Sequence, residues 1–327
     1  MPAAIEPLAP PRDAAIQQLA GRTMGTSWSV QAVGGDAAAL REGIEHCLDA
    51  VVGEMSHWEP TSSLSCFNAA AMGTWCELPR DGFEVLSQAL RIADLTEGAF
   101  DPAAGALVDL WGFGPPGAVL SAPSEDDIAV ARKRSCWQRL AIDPVTRRVL
   151  QPGGVRLDFS AIAKGFAVDR VSQWLSDNGA AHHLVEIGGE LRGCGMKPDG
   201  QPWWVALETP LPHEGAFGAA PEHLVALHGL AVATSGDYRR FFVDGDVMRS
   251  HTIDPRTGRP IDHGLASVSV LHAQCMLADA WSTALMVMGL DEGLALANAR
   301  GIAAVFMQRV EDGFLERMSK AYVAQLA

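Results

Sequence analysis

Basic residues are scarce in this chain. Twenty-five Lys and Arg stand against 39 Asp and Glu, for a formal charge of −14. Sequence-independent binding of nucleic acid needs a cationic face to displace counterions from phosphates, so this balance argues against that class of partner. Cysteine is also sparse: six residues, at 47, 66, 76, 136, 194 and 275, with no C-x-x-C pair. That scatter excludes a disulfide scaffold, and the missing pair argues against a structural zinc site. No uncharged apolar run reaches about 18 residues, so no membrane span is expected. The start, Met1-Pro-Ala-Ala-Ile-Glu-Pro, lacks the basic and apolar regions of a secretory signal. The expected location is therefore cytoplasmic, or periplasmic if an export signal has been removed. Internal repeats and a Walker A loop are missing as well.

What is present suits a folded enzyme. Of 327 residues, 48% are apolar and 20% charged, enough for a sizeable core and too apolar for wholesale disorder. The length fits about two lobes or one elaborate domain. Four of the 19 prolines fall in the first 11 residues, so 1–18 reads as an extended arm and 19–327 as folded sequence. Thr26 to Val33 looks strand-like. Asp36 to Met55 and Asp81 to Leu95 carry apolar residues at helical spacing. Asp101 to Gly117, rich in Gly, Pro and Trp, reads as an ordered loop. A hairpin is expected around Asp143-Pro144 and a helix over Ala161 to Leu175. Short strands follow at Leu184–Ile187, Trp203–Leu207, Leu224–His228, Ala231–Thr234 and Phe241–Val243. Two helices, Cys275–Met288 and Asp291–Asn298, precede a strand at Ala303–Gln308. Clustered strands with short connections predict an α+β fold: a mainly antiparallel sheet flanked by helices.

Four constellations can carry chemistry. In Ala278-Asp279-Ala280-Trp281-Ser282-Thr283-Ala284, Asp279 and Thr283 share one helix face. Small and apolar neighbours point that face inward, where a carboxylate needs a partner. A carboxylate with a hydroxyl suits Mg²⁺ rather than zinc; from spacing alone, a helix-start aspartate with a back-bonding threonine is the plainer explanation of the pair. In Leu157-Asp158-Phe159-Ser160-Ala161-Ile162-Ala163-Lys164-Gly165, an extended piece meets a helix. Free N–H groups and a lysine there suit a phosphate, and so does the plainer reading of an N-cap and a surface lysine. His251 stands three residues before Asp254, at the mouth of the turn Asp-Pro-Arg-Thr-Gly. It is placed to act as a base, although a lone imidazole is common. Finally, Gly188-Gly189-Glu190, Gly112-Phe113-Gly114 and Ser235-Gly236 allow close backbone approach to a ligand or simply mark turns. Trp58, after Ser56-His57, either stacks on a flat ring or packs in the core, and core is the default.

Taken in order, these stretches resemble the FAD:protein FMN transferases, also called the ApbE family. The matching pieces are Met24-Gly25-Thr26, Ser56 to Asn68, Gly98 to Pro102, Leu110 to Gly114, Leu157 to Asp169, Ile187 to Gly189, Ala233 to Gly236, His251 to Gly258 and Ala278 to Ala284. The resemblance implies a sheet related to the tunnelling-type fold, with FAD as substrate and Mg²⁺ as cofactor. It implies attack by a Thr or Ser hydroxyl of an acceptor flavoprotein on the FMN-side phosphorus, with AMP leaving. Asp279, Thr283 and the carbonyl of Ala161 would ligate the metal. Met24, Trp58, Ala99, Phe100, Asp101, Asp158, Lys164 and Ile253 would line the FAD site, between two lobes if the chain has two. His251 would be the base on the acceptor hydroxyl. The alternative is a Mg²⁺-dependent FAD pyrophosphatase, in which water replaces the protein hydroxyl and the products are FMN and AMP.

Overall fold

The computed structural model describes residues 9–208, 210, 223–238, 241–244, 247–311 and 313–326. Its centre is one eight-stranded sheet. The strands are β1 (Ile16–Thr23), β2 (Thr26–Val33), β3 (His183–Ile187), β4 (Glu190–Cys194), β5 (Leu230–Gly236), β6 (Leu265–His272), β7 (Ala303–Val310) and β8 (Gly313–Met318). They lie side by side in chain order, and every neighbouring pair is antiparallel. The helices are α1 (Ala37–Met55), α2 (Ser63–Ala69), α3 (Arg80–Leu95), α4 (Gly105–Leu110), α5 (Glu125–Arg134), α6 (Ala163–Asp177), α7 (Cys275–Arg300) and α8 (Lys320–Leu326). This is the α+β architecture expected from the sequence.

Alternation along the strands builds two apolar layers. Val185, Ile187, Ala231, Ala233, Val268, Val270 and Phe306 face α1, α6 and α7 in one large core. Val232, Leu271 and Val305 face the other way, against Trp203, Val225, Leu227 and Tyr322. The hairpin Trp203–Ala206 with Leu224–Leu227, together with α8, covers that second face. Helix starts follow capping chemistry: the Asp36 carboxylate accepts from the amides of Ala38 and Ala39 and fixes the first turn of α1.

Several expectations change. β1 begins at Ile16, so the arm expected over 1–18 ends sooner: its last residues pair with β2, Ile16 opposite Val33. The segment 101–117 contains α4 and is not wholly loop. The two expected helices near the end form one run, α7, broken at Gly289, whose φ of 79° lies where only glycine sits without strain. β1, β4, β6 and β8 have no counterpart in the sequence reading.

Candidate active site

The start of α6 and the first turns of α7 meet at a glycine. The Gly165 amide, one of the helix-start donors that have no partner within their own helix, donates to Asp279 Oδ2 at 3.0 Å. A Cβ on Gly165 would lie 2.3 Å from the Cys275 carbonyl oxygen, so the helices approach this closely only around glycine. Asp279 is buried, 3% exposed. One turn on, Thr283 Oγ1 lies 2.9 Å from Ser235 Oγ of β5, which also reaches Ser282 Oγ at 2.8 Å. Ala161 stands in the turn ahead of α6. One carboxylate and neighbouring hydroxyls are hard oxygen donors, and they fit a magnesium-type cation that fills its other positions with water or substrate oxygens. No group of three or more His, Cys, Asp or Glu able to hold a metal occurs among the described residues.

Polar pairs tie α6 to β4. Lys164 Nζ lies 2.5 Å from Glu190 Oε1, and Glu190 is buried. Farther along, Asp169 pairs with Arg192. The Asp169 carboxylate also accepts from the amides of Cys275 (3.0 Å) and Met276 (2.9 Å). It thereby caps the N-terminus of α7, where negative charge is favoured, and sets the helix that carries Asp279.

A second wall surrounds Asp158. Its amide donates to the Pro102 carbonyl at 2.9 Å, which fixes 101–102 beside it. Its carboxylate accepts from Ser160 N at 2.7 Å and lies 3.4 Å from His57 Nδ1. Trp58, beside His57, is 53% exposed, so it belongs to the surface and not to the core assigned to it by default. The imidazole and indole centroids are 5.7 Å apart. Asp101 accepts from Ala103 N (2.7 Å) and Trp137 N (3.2 Å). Burial nevertheless outweighs these bonds and pushes its carboxyl up to about 6. Asp109 of α4 is also raised by burial and by Asp158, against the pull of Arg156, whose Nε is 2.7 Å away, and of His57. Ala99 and Phe100 are buried; Met24, at φ 49° in the β1–β2 turn, packs on the core margin.

The turn after His251 forms a third group. The amides of Thr257 and Gly258 donate to the Asp254 carbonyl, and the Arg256 guanidinium clasps the Asp254 carboxylate. Ile253 packs with Leu107, Trp111 and Ile128. Trp111 Nε1 donates to the Gly258 carbonyl at 2.8 Å. The His251 ring stands edge-on to Phe113, centroids 6.2 Å apart. Helix α4 therefore joins the walls: Asp109 turns toward Asp158 and His57, and Trp111, its C-cap, holds the turn that follows His251.

The sequence motifs fall into three groups, each held by its own contacts. Asp279, Thr283, Lys164 and Gly165 form one cluster; Asp101 and Asp158, with Trp58 alongside through His57, form another; His251 and Ile253 belong to the third. Sequence reasoning passed over His57, Asp109, Arg156, Glu190 and Ser235 as site residues. Glu190 and Ser235 sit inside glycine motifs already singled out. Asp109 and Arg156 meet only through tertiary structure, and no local spacing announces them.

The family model described as the ApbE family matches residues 24–306. This chain belongs to the ApbE family. A relative from Vibrio cholerae, named FAD:protein FMN transferase, is 36% identical over 308 residues, covering 93% of this chain and 91% of its own. One of the same name from Salmonella typhimurium is 36% identical and covers 94% of this chain and 89% of its own. Among solved ApbE structures, the apo flavinyl transferase of Pseudomonas stutzeri superposes with a TM-score of 0.87 at 38% identity, covering 95% of this chain and 97% of its own.

Proposed function

We propose that this ApbE chain is a transferase that moves FMN from FAD to a protein acceptor, joining it to a Thr or Ser hydroxyl and releasing AMP. The observation that carries the reading is the likeness to relatives of that name over more than nine-tenths of the chain. The site chemistry supports it. Asp279, Thr283 and the Ala161 carbonyl would hold Mg²⁺, which when bound supplies the charge neutralisation that a pyrophosphate needs. Lys164, steadied by buried Glu190, adds a cation at a helix start where phosphate oxygens are favoured. The open face of Trp58 offers a stacking surface for the flavin, and Met24, Ala99, Phe100, Asp101, Asp158 and Ile253 shape the rest of the pocket. A hydroxyl is a weak nucleophile, so His251 takes its proton as it attacks phosphorus. The phosphorus–oxygen bond toward AMP then breaks, and little more than positioning is required of the protein.

The test is incubation with FAD, Mg²⁺ and candidate flavoprotein acceptors that carry a reachable Thr or Ser. AMP release matched by a covalently fluorescent acceptor supports transfer. AMP and FMN without a labelled acceptor would instead make the chain a pyrophosphatase.

A further inference from the structure

The α6–β4 seam continues beyond Lys164 and Asp169 to a cluster outside the proposed site. His183 of β3 and Cys194 of β4 are cross-strand partners. Ser172 of α6 lies over both, its Oγ 2.8 Å from His183 Nε2 and 3.5 Å from Cys194 Sγ. The other ring nitrogen of His183 is 2.7 Å from the Ala180 carbonyl. A carbonyl only accepts, so Nδ1 carries the proton and Nε2 is left facing the hydroxyl and the thiol. Arg192, on the same face of β4 one alternation earlier, brings its guanidinium to the Cys194 thiol while it pairs with Asp169. Cys194 is partly open to solvent, whereas Cys47 and Cys275 are buried.

We propose that Cys194 is a modification site, a thiolate held by His183, Ser172 and Arg192 that reacts with small hydroperoxides. Burial opposes its ionisation. As the thiol ionises, its proton passes to the free Nε2 of His183, and the hydrogen bond and charge of the imidazolium so formed, then Ser172 and Arg192, outweigh burial and hold the thiol at about 6. Burial instead raises Cys47, Cys76 and Cys275. Asp169, His272 and Cys275 are the other ionisable groups that feel the Arg192 charge. In the reaction the Cys194 sulfur attacks one peroxide oxygen. The S–O bond forms as the O–O bond breaks, and sulfur gives up two electrons. Hydroxide leaves and takes a proton from solvent, and Cys194 becomes a sulfenic acid.

The experiment uses the full chain. Hydrogen peroxide followed by a sulfenate-trapping dione, with peptide mapping, should place the adduct on Cys194. Iodoacetamide labelling followed from about pH 5 to 9 should give Cys194 a midpoint near 6, well below the ordinary thiol range of about 8.5. His183→Gln should raise that midpoint by more than about one pH unit. Because His183 is fully buried, Ser172→Ala is the companion variant, with a smaller upward shift. A wild-type midpoint above about pH 8, or no Cys194 adduct while exposed Cys66 is labelled, would overturn the proposal.

Discussion

Asp279 is asked to do two things, and they can be separated by one substitution. Asp279→Asn keeps an oxygen for the Gly165 amide and removes the charge. Folding should survive, while turnover should fall by at least about 10²-fold, the scale of Lewis-acid stabilisation. Chelation should reproduce the loss in the unaltered protein, and full activity after exhaustive chelation would refute the cation's role. His251 acts on the nucleophile and not on the pyrophosphate. His251→Ala should therefore cut acceptor labelling by about 10²–10⁴-fold and leave FAD binding nearly intact, as equilibrium titration would report. Asp101 yields a prediction of opposite kind, about folding and pH. Its carboxyl ionises at about 6, raised from an ordinary 3.8, because burial favours the neutral form. The folded state thus holds a proton that the unfolded chain has already lost between those values. The stability it contributes is present at low pH and disappears as pH rises through about 6. Asp101→Asn should gain in melting temperature over the unaltered protein as pH climbs from about 4 to 6.5. A difference that stays flat across that window would show Asp101 to be uncoupled from folding.

Elements were legible where one face is wet. β2 and α1 match their expected spans because polar residues alternate or recur on the outer side; β2 runs from Thr26 to Val33 as read. β6 was invisible for the opposite reason. Leu265–Leu271 is buried throughout, with the helices on one side and the Trp203 hairpin layer on the other, so the alternation of Ser267-Val268-Ser269-Val270 marks no wet face. The site divides the same way. Asp279 and Thr283 could be paired from helical spacing alone, because both lie on α7. Their partners, the Gly165 amide and the Ser235 hydroxyl, arrive from α6 and β5, and only the finished sheet order brings them there. Trp58 reads as core by composition, yet the chain turns it outward beside His57. The crossing of α6 and α7 carries its own prediction. A methyl group at residue 165 would meet the Cys275 carbonyl at 2.3 Å and Asp279 Cβ at 2.8 Å. Gly165→Ala should force the helices apart, cost about 1–3 kcal/mol in denaturant unfolding and depress turnover with it. A variant of unchanged stability and activity would mean the crossing is looser than the geometry says.

The whole molecule closes on a single frame. The first strand and the last belong to one sheet, and one apolar cluster runs from Leu19 to Phe306. Indole fluorescence and far-ultraviolet dichroism should accordingly follow one coincident unfolding transition, and separated midpoints would restore a two-lobe description. The chain-order arrangement of the strands has a further consequence for synthesis. β1 and β2 can pair as soon as both are made, but β2's next neighbour, β3, waits until residues 34–182 have been made. During that interval the open side of β2 presents unpaired amides and carbonyls, the kind of edge that recruits strands from other chains. Translation speed through 34–182, more than the stability of the finished fold, would then govern how much of each newborn polypeptide escapes aggregation.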